Sequence, residues 1–255
     1  SAWLRAFTER IPAGVREGWM ARADVAAAVG LCFGAAGCYA LATEWLDRAR
    51  EADEGDCPLR VIEQAANFRV RASDDLWAAL RTRRESAAVR PLVDGIRQAI
   101  GDLARLRPTA ERCALLGSAF KRLAWMLDGD ERRAALEDMA REYGRALELA
   151  GGSGAPVMDS YAFVNLWTAR LALARSGRRS RALPDGWADA VRAGCERARL
   201  DAAVNPRPDF WSTAVVGACA ILLALLAGRM SAIDQASATE AYRAAFARGG
   251  STREQ

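Results

Sequence analysis

A chain of 255 residues that is 51% hydrophobic can bury a sizeable core, as one long domain or two small ones. Its net charge is only +4 and its acidic residues are spread throughout, which excludes the clustered basic excess of a dedicated nucleic-acid-binding surface. It contains no histidine, which excludes Ser-His-Asp and Cys-His catalysis within the chain and removes the commonest metal ligand.

Strand-type alternation is scarce, while Ala, Leu, Arg and Glu dominate, so the fold class expected is all-α. Residues 1–23 read as leading short helices, over Ala2 to Glu9 and Val15 to Ala21, and residues 24–255 as a single array. Asp24 to Gly34 and Ala36 to Glu51 make a first helix pair, with Gly30, Gly34 and Gly37 permitting close contact. Pro58 to Arg71, with Leu59, Ile62, Ala66 and Val70 as its buried stripe, pairs with Ala87 to Leu106. A short extra helix is expected around Asp75 to Arg83.

The third pair spans Glu111 to Leu149 and turns at Leu127-Asp128-Gly129-Asp130, where Gly129 suits the turn and Asp130 can cap the second helix. Cys113, Leu116, Gly117, Phe120, Leu123 and Ala124 share one apolar face of its first helix, and Leu136, Met139, Ala140, Tyr143 and Leu147 one face of its second. The stretch Gly151 to Pro156 is a connector, and lacks the Gly-Lys-Ser/Thr continuation of a phosphate-binding loop. The fourth pair is Met158 to Ala174 and Pro184 to Ala203, in which Val164, Trp167 and Leu171 face the core. The fifth is Asp209 to Ala227 and Ile233 to Arg248, with Asp209 placed as a helix cap.

The six cysteines form no Cys-x-x-Cys pair and sit in apolar patterns, which predicts free, buried thiols, no metal and a cytoplasmic setting. Val25 to Ala42 and Thr213 to Gly228 fall short of the ~20 strongly apolar residues a spanning helix needs. Arg81 to Arg84, Arg178 to Arg181 and the acids Asp53, Glu54 and Asp56 read as solvated charge in turns. The opening Ser1-Ala2 without Met, and a close without a final element, lead us to expect a fragment of a longer multidomain protein.

Repeating helix pairs of ~35 to 50 residues are the signature of an α-solenoid, here of about five antiparallel pairs. Leu116-Gly117 followed by Phe120 matches the Leu-Gly-x-x-Tyr core of the tetratricopeptide repeat, and Tyr143 with Ala146 its second helix. The stretches Cys57 to Arg71, Glu111 to Ala124, Tyr161 to Trp167, Asp209 to Ser212 and Ala241 to Glu254 together resemble the tetratricopeptide-like sensor family called TPR-S. That family occurs beside caspase-like, CHAT or trypsin-like proteases in bacterial conflict systems, and is related to the regulatory region of apoptosis signal-regulating kinases. The resemblance implies a non-catalytic sensor of a nucleotide-derived signal, such as an NAD or ADP-ribose derivative, that controls an attached or partner effector in antiviral defence. It implies no cofactor.

The residues carry their own reading. In such arrays the first helix of each pair lines the concave surface, which gathers Glu63, Asn67 and Arg71, then Ser118, Lys121 and Arg122, then Tyr161, Asn165 and Thr168, then Asp209, Trp211 and Ser212. Lys121 is the only lysine in a chain that otherwise uses arginine for every positive charge. Its ammonium can meet a phosphate as a point charge, Arg122 can engage one bidentately, and Asn67 and Asn165 offer donor and acceptor to a ribose or base edge. Tyr161, Trp125 or Trp211 can stack on a ring, although burial in the core is the expected place for both tryptophans. Two other readings stay open: the same residues clamp a peptide carboxylate, or the face is solvated and the chain is a scaffold for assembly or oligomerisation.

Overall fold

The computed structural model describes residues 2–52, 57–81, 88–151, 159–175, 183 and 185–248. Every regular element among them is helical. In order they are α1 (Ala2–Arg10), α2 (Ala13–Met20), α3 (Ala23–Ala35), α4 (Tyr39–Ala52), α5 (Leu59–Arg81) and α6 (Val89–Ala104), then α7 (Ala110–Met126), α8 (Gly129–Gly151), α9 (Ser160–Arg175), α10 (Trp187–Val204), α11 (Phe210–Leu226) and α12 (Ala232–Ala247). Consecutive helices pack in pairs, the arrangement of a tetratricopeptide-like α-solenoid. The polypeptide divides into two compact units, Ser1–Pro108 and Thr109–Gln255.

In the first unit α3 packs on α4, α4 on α5 and α5 on α6, around Phe33, Tyr39, Trp45, Leu46, Val61 and Phe68. Gly34 permits this: a Cβ there would lie 2.0 Å from the Phe68 ring. Gly37 has a different task, turning the chain between α3 and α4 at φ +72°. Arg69, only 12% exposed, donates to Asp47 at 2.6 Å and to Asp102 at 3.5 Å, and Arg50 reaches Asp102 at 3.0 Å. Two guanidiniums and two carboxylates thus tie α4, α5 and α6 with no buried net charge.

The sequence reading broke this region after Arg71, but α5 runs unbroken to Arg81. Ser73 lies within it, buried, and donates to the Arg69 carbonyl one turn back at 3.0 Å. Of the expected stripe, Ala66 and Val70 are buried, Ile62 is half-buried and Leu59 is 52% exposed, while Val61, Ala65 and Phe68 join the buried face.

In the second unit α8 packs on α7, α9 on α8 and α11, and α12 on α11, with α10 against α9 and α11. The starts of the helices are set by side chains. Thr109 accepts the Arg112 N–H at 3.2 Å, Asp159 accepts from Ala162 at 3.0 Å, and Asp209 and Ser212 form a reciprocal capping box on α11. The cap expected at Asp209 is therefore present. Gly129 opens α8 at φ +55°, so Asp130 sits inside the first turn rather than capping it.

The seam between α7 and α8 holds Cys113, Leu116, Leu123, Leu136, Met139 and Tyr143, all buried, joined by Ala119 and Met126. Gly117 lies against the flat of the Tyr143 ring, where a Cβ would come within 2.8 Å. That contact is the structural meaning of the Leu-Gly spacing.

Four cysteines are buried as expected, but Cys32 is exposed and Cys57 half-buried. No helix among the described residues is long and apolar enough to cross a membrane. The acids Asp53, Glu54 and Asp56, the arginine runs at residues 82–84 and 178–181, and the connector at 152–156 lie outside the described residues.

Two glycines of this unit separate packing from propensity. Gly117→Ala should lower stability by about 1–3 kcal/mol, as overpacking a close contact does. Gly144→Ala, on α8 with nothing within 4 Å of the added methyl, should raise it by up to about 1 kcal/mol. Urea midpoints of the two variants check the signs.

Candidate functional site

The second unit encloses a hollow of about 620 Å³ lined by α7, α8, α9, α11 and α12. Its floor follows from the close contact at Gly117. Tyr143, fully buried on α8, aims its hydroxyl at the Tyr161 hydroxyl on α9, 3.5 Å away, and the two rings meet edge to face with centroids 5.9 Å apart. Trp211 of α11 meets Tyr161 in the same manner at 5.7 Å. The Lys121 ammonium stands 5.5 Å from the centroids of both Tyr161 and Trp125, within the range of a cation–π attraction.

Lys121 is fixed by Asn165, whose Oδ1 accepts from Nζ at 3.0 Å and whose Nδ2 donates to the Tyr161 carbonyl at 2.8 Å. Asn165 is only 9% exposed, so its amide is a buried support, with donor and acceptor both engaged. Arg122 donates to the Ser118 hydroxyl at 2.6 Å and to its carbonyl at 3.1 Å. Arg132, exposed in the first turn of α8, completes the positive side of the hollow. Lys121, Arg122 and Arg132 thus line one space, and no carboxylate lines it among the described residues.

Of the residues singled out from sequence, Lys121, Arg122, Tyr161, Asn165, Thr168 and Trp211 line this hollow, and Ser118 braces Arg122 from below. Asp209 and Ser212 are spent on the start of α11. Glu63, Asn67 and Arg71 belong to α5 of the first unit. There Asn67 donates to Gln64 at 3.3 Å, and Arg71 donates to the Tyr39 hydroxyl at 2.7 Å and lies over its ring.

Trp125 and Trp211 correct the expectation of burial, for they are 52% and 40% exposed and form walls of the hollow. Arg132 was missed. The signal for it was present, because Arg132, Leu136 and Met139 fall on one helical stripe of α8 and all three line the space. Among the described residues no cluster of His, Cys, Asp or Glu could hold a metal ion.

The Tetratricopeptide Repeats-Sensor family matches residues 38–170, just over half of the chain, and the match includes α7, α8 and most of α9. No curated protein and no solved structure matches the chain.

The electrostatics of the floor are unusual. Burial pushes the Tyr161 phenol up, but the charges of Lys121 and Arg122, with hydrogen bonds from Tyr143 and Ser118, outweigh it and bring its pKa down to about 7. Burial and the neighbouring Tyr161 push Tyr143 the other way, well above the ordinary tyrosine value. A spectroscopic titration should therefore show tyrosinate absorbance growing near neutral pH, below the ordinary value of 10.0. Tyr161→Phe should abolish that phase, and Lys121→Gln should move it upward, since removing a cation disfavours the phenolate. A wild-type protein with no tyrosinate until the ordinary range contradicts this electrostatic assignment.

Proposed function

The chain belongs to the Tetratricopeptide Repeats-Sensor family, and we propose that the hollow of its second unit is a sensing site for a phosphate-bearing, nucleotide-derived molecule of the NAD or ADP-ribose kind. The observation that carries this reading is one hollow with Lys121, Arg122 and Arg132 on its lining and no lining carboxylate among the described residues. Cations gathered on one lining attract a polyanion, and the attraction strengthens as water is displaced. Lys121 offers a point charge, while the two guanidiniums offer the planar fork that fits phosphate oxygens. A volume of about 620 Å³ suits a small molecule of nucleotide size. A peptide carboxylate would neutralise only one of the three cations, which favours the polyanion over a peptide-clamping module.

On this reading the domain is not a catalyst. Its ligand would touch helices from all three pairs of the unit, so occupancy favours one packing of those pairs over others. That bias is the means by which an attached or partner effector, such as a protease in a bacterial conflict system, would be controlled from the cytoplasm.

Calorimetry with ADP-ribose, NAD and related phosphate-bearing compounds tests the proposal. At least one should bind, and the double variant Lys121→Gln, Arg122→Gln should weaken it by about 100-fold or more, as losing close charge partners does. If none of the panel binds, or the double variant binds as the wild type does, the receptor reading fails and a scaffold remains.

A further inference from the structure

The three cations on the lining do not stand together. Lys121 and Arg122 leave α7, whereas Arg132 leaves the first turn of α8. Gly117 lies against the Tyr143 ring, and the chain reverses between the two helices, so counting inward along both places Met139 level with Lys121. Arg132 precedes Met139 by two helical turns, which sets it about 10 Å further along the hollow at the helical rise. Trp125, one turn past Lys121 and 52% exposed, falls between the two levels.

The helix itself has no use for Arg132 in this place. Its neighbour Arg133 pairs with Glu137 one turn on, at 3.1 Å. One turn on from Arg132 stands Leu136, which lines the hollow instead. Among the described residues the Arg132 side chain enters no ion pair. Nor does it serve the helix dipole, which favours acids at that end, where Asp130 and Glu131 already supply them off the lining. An exposed guanidinium that is held by no carboxylate and faces a cavity is a docking point for an anion. A diphosphate brings both of its phosphates to one place, since they share an oxygen, and the Lys121–Arg122 point takes them. Arg132 is left for a different group.

We propose that Arg132 is a second anchor, so that the hollow selects a nucleotide carrying a further phosphate set apart from the first, on the 2′ or 3′ oxygen of its ribose. The inference rests on the receptor reading above and narrows its ligand to one with two separated anionic points. Arg132 is then the residue that distinguishes the signal from nucleotides phosphorylated at the 5′ end alone.

Calorimetry on the 255-residue chain with ADP, adenosine 2′,5′-bisphosphate and adenosine 3′,5′-bisphosphate tests this, with ADP-ribose as the reference ligand. The first three are isomers of nearly equal charge, so a difference among them reports where the phosphates stand. At least one of the separated bisphosphates should bind about tenfold or more tighter than ADP, the scale of one close charge pair. Arg132→Gln should abolish that advantage. It should leave ADP within about threefold of its wild-type affinity, because salt screens an exposed charge a Debye length away. Retained ADP binding also certifies that the variant is folded.

The inference is overturned if ADP matches or exceeds both bisphosphates. It is overturned equally if their advantage survives Arg132→Gln, or if that variant weakens ADP as much as it weakens them. Binding of ADP-ribose with none of the three isomers has the same meaning, and in each of these cases the anion receptor stands. Failure of every compound, ADP-ribose included, removes the receptor reading itself.

Discussion

The structure of the second unit turns on how one ammonium group is held. Lys121 leaves α7 and meets the side-chain oxygen of Asn165 on α9 at 3.0 Å, with aromatic faces beside it. An amide and two π faces stabilise a cation without neutralising it. Lys121 lines the hollow together with Arg122 and Arg132. Three positive side chains on one lining attract a ligand of opposite charge, and that is the reason to propose a receptor in what is otherwise a packed helical array.

The position of that ammonium depends on contacts well away from it. Gly117 lacks the Cβ that would strike the Tyr143 ring, so Tyr143 can lie in the α7–α8 seam with its hydroxyl directed at Tyr161. Tyr161 is in turn gripped by Trp211 from α11 and lends its carbonyl to Asn165. The helix starts at Thr109, Asp159 and Asp209 set the axial register in which these side chains meet. A repeat signature that appears purely structural in the sequence is thus what levels the floor of the site. Asn165 holds the Lys121 ammonium in the hollow it also lines.

Helical class, pairing and much of the site were legible because both depend on spacing. Lys121 stands one helical turn from Trp125, and Tyr161, Asn165 and Thr168 follow one another on a single stripe, so their convergence could be read before any coordinates. Three features were hidden. The continuity of α5 was masked by Ser73 and its acidic neighbours, whose intrinsic preference for caps is overridden once Ser73 bonds back to Arg69 within the packed unit. The exposure of Trp125 and Trp211 runs against the usual burial of indoles and is decided by tertiary geometry alone. Arg132 was overlooked because α8 was read as a backing helix, although its stripe with Leu136 and Met139 pointed to the same space.

Because Lys121 is the only lysine, the central claim can be put to the ammonium itself. Protein labelled at the lysine Nζ should give a single side-chain resonance in NMR spectra. The account predicts that this resonance shifts progressively and saturably as ADP-ribose is added, as a phosphate approaches the ammonium. A resonance that stays in place while the ligand binds would show that the ligand sits elsewhere, and one that stays in place with no binding at all would show that the hollow is no receptor.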